Sequence, residues 1–180
     1  ESFFLKPTEL ITNGEFTSNI TSWTNATTGA VGGGTPAYNS GGNGRLRLND
    51  AAVSQAITTV KNKTYKVQVR VIDSASGGSS LAVKIGNAAH ATTDLNATLT
   101  VTNYGEGNIL DTTFTASQVA TYITVINSDS NNMDVDYIRV SRSDIAPKKL
   151  AHITYDTYLQ TNKVADDVNN SSAFGLPAKV

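Results

Sequence analysis

The chain has 180 residues, a formal net charge of −1, 39% hydrophobic residues and only 16% charged residues. Soluble domains usually carry about a quarter charged residues, so neutral polar side chains must cover much of this surface. No basic stripe is present to neutralise phosphates, which argues against nucleic acid as a partner. No apolar run approaches the roughly 18 residues that a membrane-spanning helix needs, and cysteine is absent, which excludes disulfides and thiolate ligands.

The N-terminal quarter of the chain contains few regular patterns. Residues 1–7 indicate an extended arm, and they lack the basic region and long apolar core of an intact signal peptide. Residues 9–12 predict a short strand, and Asn13-Gly14 is a strong turn signal. Residues 27–44 contain seven glycines and predict a long connection, a kind of segment that often carries function.

The clearest strand pattern lies between residues 51 and 73. On one predicted face lie the apolar side chains of Tyr65, Val67, Val69 and Val71, which alternate with Lys66, Gln68 and Arg70. This period of two means that one face of the strand is buried and the other is exposed to solvent. Residues 53–57 alternate in the same way, and the polar residues 61–63 between the two segments suit a hairpin turn. We therefore expect an antiparallel pair near the centre of a β-sandwich.

Shorter alternating segments follow at spacings near ten to fifteen residues. They predict strands over residues 45–49, 81–85, 97–101, 109–115, 121–126 and 134–142. No strong helix pattern occurs, and prolines are rare within these segments. The sequence therefore predicts an all-β fold, a two-sheet antiparallel β-sandwich over residues 8–142.

The last part of the chain, residues 143–180, follows neither the strand nor the helix period. Pro147 and the pair Lys148-Lys149 interrupt the pattern, and too few apolar residues follow to form a second core. We expect residues 1–7 and 143–180 to be extended N- and C-terminal arms that bind neighbouring subunits of an assembly.

The sequence offers no catalytic constellation. His90 and His152 have no spacing that resembles a metal triad, and no Gly-x-Ser-x-Gly elbow is present. Asp134 and Asp136 share a predicted strand face, as glycosidase acids can, but isolated acids occur throughout the chain. The glycines at 32–34 are followed by neither Lys-Ser/Thr nor a helix, so they do not form a phosphate loop. We therefore expect a protein that is not an enzyme.

Four segments in a fixed order carry a resemblance to a known family. They are LITNGEF at residues 10–16 with Trp23, VSQ at 53–55, TYKVQVRV at 64–71 and MDVDYIRV at 133–140. In this order they resemble carbohydrate-binding modules of the family-four and family-nine type, the galactose-binding-like jelly rolls. The resemblance covers about residues 8–142, and it implies a non-catalytic jelly roll that presents a sheet face or its loops to sugar.

The resemblance also implies a structural Ca²⁺ between the segment after the first strand and the final strand. Asp136 matches the final-strand acid. The acid that usually follows the early phenylalanine is missing, because Thr17 follows Phe16. Glu15 is the candidate substitute, with backbone carbonyls completing the oxygen shell that Ca²⁺ prefers. The alternative is that Asp136 caps a turn or accepts backbone hydrogen bonds.

Candidate sugar ligands follow from the chemistry of sugar recognition, which combines a stacked aromatic ring with planar polar groups. The candidate rings, two in glycine-rich loops and one on a strand, are Tyr38, Tyr104 and Tyr122. The polar candidates, which are predicted to share the outer face of one sheet, are Arg47, Gln55, Gln68 and Arg70. The alternative for these four is an ordinary solvated face. Trp23 and Tyr65 are expected to lie in the core.

Three functions are consistent with these features. The first is a structural or adhesion protein of a virion or cell surface, of the phage tail, fibre or capsid-decoration type, whose jelly roll binds host glycans. The second is an ancillary carbohydrate-binding module of a secreted glycoside hydrolase. The third is a scaffold that has lost sugar binding. An extracellular or virion-surface location is expected.

Overall fold

The computed structural model describes residues 8–28, 33–41, 44–74, 78–102 and 107–143. These residues belong to one compact unit, Pro7–Ala146. The N-terminal arm predicted at residues 1–7 lies outside the described residues, and so does the C-terminal arm beyond Ser143. Within the described ranges, no helix is long and apolar enough to cross a membrane.

The described residues form ten strands in two five-stranded sheets. The strands are β1 (Thr24–Asn25), β2 (Ala37–Asn39), β3 (Arg45–Leu48), β4 (Ala51–Thr58), β5 (Thr64–Ser74), β6 (Ser80–Gly86), β7 (Leu95–Thr100), β8 (Asn108–Thr115), β9 (Ala120–Asn127) and β10 (Met133–Arg142). One sheet has the order β1-β4-β9-β6-β7, and the other has the order β2-β3-β10-β5-β8. We name them the β9 sheet and the β10 sheet after their central strands. All pairings between these strands are antiparallel, so the predicted two-sheet antiparallel sandwich is confirmed.

A single large core lies between the inner faces of the sheets, and alternate residues of most strands contribute to it. Each buried aliphatic or aromatic side chain contributes about 1.5–3 kcal/mol of transfer free energy. Tyr65 stacks on Phe114 with ring centroids 5.4 Å apart, and its hydroxyl accepts the backbone N–H of Val60. Trp23 is also buried and lies against Phe16. The prediction that Trp23 and Tyr65 are core residues is therefore confirmed.

The predicted hairpin between β4 and β5 is wrong. β4 pairs with β1 and β9, whereas β5 pairs with β10 and β8. Residues 61–63 therefore cross from one sheet to the other, with Asn62 at a positive φ of 63°. The alternation of a strand shows which of its faces is buried but not which strand lies beside it. Two successive strands that face each other across a sandwich have the same pattern as a hairpin.

Two other local predictions differ from the structure. Residues 9–12 form an isolated bridge between Glu9 and Ser141 instead of a strand. A side chain replaces a backbone acceptor of the strand pairing there, because Oε1 of Glu9 accepts the backbone N–H of Val140 at 2.6 Å. The glycine-rich connection at 27–44 contains a strand, β2, at its C-terminal end.

An irregularity in the register between β5 and β10 determines what the outer surface presents. Val135 pairs with Val71, but Tyr137 pairs with Arg70, so Asp136 is an extra residue on β10. Such bulges re-aim side chains next to the inserted residue. As a result, Asp136 and Tyr137 both lie beside Arg70 on the outer face of the β10 sheet.

Candidate functional site

Connections between strands cover part of the outer face of the β9 sheet. Ala26, Ala52 and Ile126 form a small buried cluster on this face. In the connection after β6, the backbone N–H of His90 donates to Oγ1 of Thr124. The Nε2 of His90 donates to the carbonyl oxygen of Ala26 at 2.5 Å. These contacts hold two connections against the sheet, so this part of the face is closed to a ligand.

The outer face of the β10 sheet instead carries exposed and half-exposed side chains in cross-strand rows. One row joins Tyr137, Arg70 and Ile109, and the next joins Arg139, Gln68 and Asp111. Ile109 is 51% exposed, and the side chains of Arg70 and Arg139 are 40% and 44% exposed. We define the outer patch as these two rows together with Asp136.

Arg70 has a fixed position at the centre of the outer patch. Its Nη1 donates to Oδ2 of Asp136 at 3.2 Å. Its Nε–Nη2 edge lies against Gly107, where an added Cβ would come within 2.7 Å of Nε. The Nε atom is buried and has no hydrogen-bond partner among the described residues. The glycine at position 107 therefore makes room for a guanidinium group that Asp136 orients.

A carboxylate and an amide lie beside Arg70 in the second row. Nε2 of Gln68 donates to Oδ2 of Asp111 at 2.8 Å, and Nζ of Lys66 donates to the same oxygen at 2.9 Å. The hydrogen bond from Lys66 and then that from Gln68 lower the pKa of Asp111. The Asp111 carboxylate is therefore ionised at neutral pH and can accept hydrogen bonds.

Tyr137 is the aromatic residue of the outer patch, and a guanidinium group lies over its ring. The guanidinium carbon of Arg139 is 4.1 Å from the ring centroid of Tyr137. Glu15 binds the same guanidinium through two hydrogen bonds, from Nε at 2.6 Å and from Nη2 at 3.1 Å. The hydrogen bond to Glu15 raises the pKa of Arg139 above its usual value. Tyr137 is not among the tyrosines that the sequence predicts to bind sugar.

A signal for Tyr137 was present in the spacing of its neighbours. The apolar residues of β10 that enter the core are Met133, Val135, Ile138 and Val140. The step of three between Val135 and Ile138 breaks the period of two and indicates a bulge. Strict alternation would have placed Tyr137 in the core instead of on the surface.

Arg47 shares the outer face of the β10 sheet, but it belongs to a separate structural cluster. Its Nε and Nη2 bind the two oxygens of the Asp134 carboxylate, which is only 2% exposed. Nδ2 of Asn39 donates to the same carboxylate at 2.7 Å, and Arg45 lies 3.9 Å away. Asp134 and Asp136 are therefore bound by different arginines, Asp134 by Arg47 and Asp136 by Arg70.

Gln55 does not share this face, and that prediction is wrong. It lies on β4 of the other sheet and is only 8% exposed. Its amide binds both backbone polar groups of Thr12 and also the carbonyl oxygen of Ser22. Gln55 therefore fixes the segment that precedes β1. On β4, Gln55 lies on the same face as Val53 and Ile57, which enter the core, so the period of two already places its side chain away from an outer face.

Of the three predicted tyrosines, the structure describes Tyr38 and Tyr122, and these two lie on different sheets. Tyr38 lies on the edge strand β2 and pairs with Leu46, a core residue, so it is on the inner face of the β10 sheet. Its hydroxyl donates to the carbonyl oxygen of Thr17. Tyr122 is on the outer face of the β9 sheet. Tyr104 lies outside the described residues.

The two side chains predicted to bind Ca²⁺ do not fit such a site. Glu15 is bound by Arg139, and Asp136 is bound by Arg70, so a cation would have to displace a guanidinium group from each. In the part of the chain that the structure describes, no group of three or more histidine, cysteine or acidic residues could hold a metal ion.

No protein-family model matches the chain, and no curated protein matches it. Solved structures do. A protein from Bacteroides thetaiotaomicron described as sugar-binding superposes with a TM-score of 0.61 at 9% sequence identity, over 76% of this chain and 100% of that chain. A family-four carbohydrate-binding module gives a TM-score of 0.56 at 17% identity, over 74% and 99% of the two chains.

A third similar structure is the enzymatically active domain of tailspike protein 4 from bacteriophage CBA120. Its TM-score is 0.55 at 15% identity, over 74% of this chain but only 21% of that chain. The chain shares the jelly-roll fold of these proteins. At such low identity the likeness is one of fold, and the family-four and family-nine resemblance rests on the four sequence segments.

Proposed function

We propose that residues 8–142 form a non-enzymatic module that binds glycans at the outer patch. The observation that carries this proposal is the row of Tyr137, Arg70 and Ile109, in which an aromatic ring and an exposed apolar side chain flank an oriented guanidinium group. Apolar faces of pyranose rings pack on such surfaces, while their hydroxyl groups need donors and acceptors nearby.

The polar groups of the outer patch match that need. Arg70 and Gln68 supply N–H donors, and the carboxylates of Asp111 and Asp136 supply acceptors. Their mutual hydrogen bonds fix their positions before a ligand arrives, which lowers the entropy cost of binding. The shared fold with a sugar-binding protein and a carbohydrate-binding module supports the proposal and its non-enzymatic character.

The proposal is tested on a printed array of neutral and acidic glycans. We expect the wild-type chain to bind a defined subset and Tyr137→Ala to bind at least tenfold more weakly. Tyr122→Ala, a tyrosine change on the other sheet, is the matched control and should bind like wild type. Loss of binding in Tyr122→Ala alone would move the site to the β9 sheet, and no binding by any variant would reject the proposed function. The secondary candidates are tested as alanine variants on the same array, and they are Tyr38, Tyr104 and Arg47.

We also propose that the module belongs to a structural or adhesion protein of a virion or cell surface, outside the cell. The low content of charged residues favours this setting, and so does the fold shared with a part of a phage tailspike protein, 21% of that chain. In it, residues 1–7 and 143–180 bind neighbouring subunits. Deletion of residues 143–180 should leave a folded monomer by light scattering, whereas an unchanged oligomer would contradict the role of the C-terminal arm.

An ancillary module of a secreted glycoside hydrolase is the alternative setting. It predicts the same sugar site, and a catalytic domain in the same reading frame would decide in its favour. A scaffold without a sugar site is the remaining alternative, and it would be favoured if the wild-type chain bound no glycan on the array.

A further inference from the structure

We infer that Arg139 closes the sugar-binding surface of Tyr137 in the free protein, and that Glu15 holds it there. This inference rests on the proposed function, because it concerns how the outer patch admits a glycan. It assigns Arg139 as the residue that a stacking sugar must displace, and Glu15 as its positioning residue.

The geometry places Arg139 where a ligand would stack. Its guanidinium carbon lies 4.1 Å from the centroid of the Tyr137 ring, which is the distance of a direct face contact. A sugar ring packed on that face of Tyr137 would need the same space. The contact is therefore an internal competitor for the ligand.

Glu15 makes this closed arrangement specific. It lies in the turn before β1, 124 residues away from Arg139 in the sequence, and it binds the guanidinium with two parallel hydrogen bonds of 2.6 and 3.1 Å. Bidentate pairs of this kind fix orientation as well as position. With its fork bound to Glu15, the guanidinium plane is held over the tyrosine ring instead of extending into solvent.

The closed arrangement is weak enough for a ligand to open. Both partners of the Arg139–Glu15 pair are about half exposed, so solvent competes for each charge. A ligand that binds only the open form has its apparent affinity reduced by the fraction of molecules that are open. From the usual strengths of exposed ion pairs and cation–π contacts, we expect this reduction to be about three- to tenfold.

The test titrates five proteins over the printed glycan array. They are wild type, Arg139→Ala, Glu15→Gln and two double variants, Arg139→Ala/Glu15→Gln and Arg139→Ala/Tyr137→Ala. Arg139→Ala should lower the half-saturating protein concentration on neutral glycans about three- to tenfold. Glu15→Gln should give a smaller gain, and it should add nothing when combined with Arg139→Ala. The double variant with Tyr137→Ala should lose the gain, because the exposed ring is what the ligand uses.

The outcomes separate this inference from the proposed function. If the array glycans bind wild type and bind Arg139→Ala equally or more weakly, Arg139 is a direct ligand or a bystander, and the inference is overturned while sugar binding stands. If none of the variants binds any glycan, the proposed function fails and the inference fails with it. Melting temperatures within a few degrees of wild type show that each variant is folded.

Discussion

Arg47 binds both oxygens of the Asp134 carboxylate, at 2.7 and 2.8 Å. Both residues lie on the outer face of the β10 sheet, but the side chain of Asp134 is almost fully buried there. Asn39 adds a third hydrogen bond to the same group. The strands β2, β3 and β10 are thereby joined through one side chain as well as through their backbones. A buried charge persists only when its hydrogen-bonding capacity is filled, and here two neighbouring side chains supply three hydrogen bonds.

Replacement of Asp134 should therefore destabilise the domain. We expect Asp134→Ala to lower the free energy of unfolding by about 2–3 kcal/mol, because it leaves Arg47 and Asn39 without their shared acceptor. Urea denaturation measures the change. The matched control is Asp111→Ala, whose ion pair with Lys66 is exposed and should be worth less than about 0.5 kcal/mol. Equal effects of the two changes would contradict the structural role of Asp134.

A second prediction concerns the close approach of the first turn to β10. A Cβ added at Gly14 would lie 2.1 Å from the carbonyl oxygen of Ile138, and Gly14 also accepts a backbone hydrogen bond from Ile138. We expect Gly14→Ala to destabilise the domain by about 2–3 kcal/mol, since rigid backbone must move. Gly33→Ala is the control, because no atom of the described residues lies within 4 Å of its added Cβ. A destabilised Gly33→Ala with a neutral Gly14→Ala would show that the turn packs differently.

The hydrogen bonds to Asp111 predict how this group responds to pH. Lys66 and Gln68 lower its pKa below 3.8, so its charged form favours the native state above that pH. The contribution is lost as the pH falls through the lowered pKa of the folded protein. Titration of the side-chain carboxyl by NMR should give a value under 3.8, and Lys66→Ala should move it back toward 3.8. A wild-type value at or above 3.8 would show that these bonds do not form in solution.

Calcium removal should leave the stability of the domain unchanged. The two candidate ligands are already bound by arginines, Glu15 by Arg139 and Asp136, the acid that the family resemblance matched, by Arg70. We expect the same melting temperature in excess Ca²⁺ and in excess chelator. A drop of several degrees on chelation would show that the ion binds elsewhere, or that it displaces these arginines.

The fold was predictable from the sequence to the level of strands and faces. The alternation of β5 identifies its buried side chains, and the structure agrees at Tyr65, Val67, Val69 and Val71. Strand partners were not predictable in the same way. Residues 61–63 look like a hairpin turn but connect two sheets, because pairing is decided by contacts between distant segments that a local period does not contain.

The candidate site was less predictable than the fold. Gln68 and Arg70 follow from alternation, and both lie in the outer patch. Tyr137 is hidden by the extra residue Asp136, which reverses the faces of β10 at that point. The pairing of Glu15 with Arg139 joins residues 124 positions apart, and no local pattern in the sequence indicates it.

Backbone chemical-shift mapping shows whether sugars bind the outer face of the β10 sheet. The labelled chain is titrated with the array glycan that gives the strongest signal, and the shifted amides are placed on the two sheets. We predict that the largest changes fall at Gln68, Arg70, Ile109 and Tyr137. Changes that instead surround Tyr122 on the outer face of the β9 sheet would place the sugar there and reject the outer patch as the binding site.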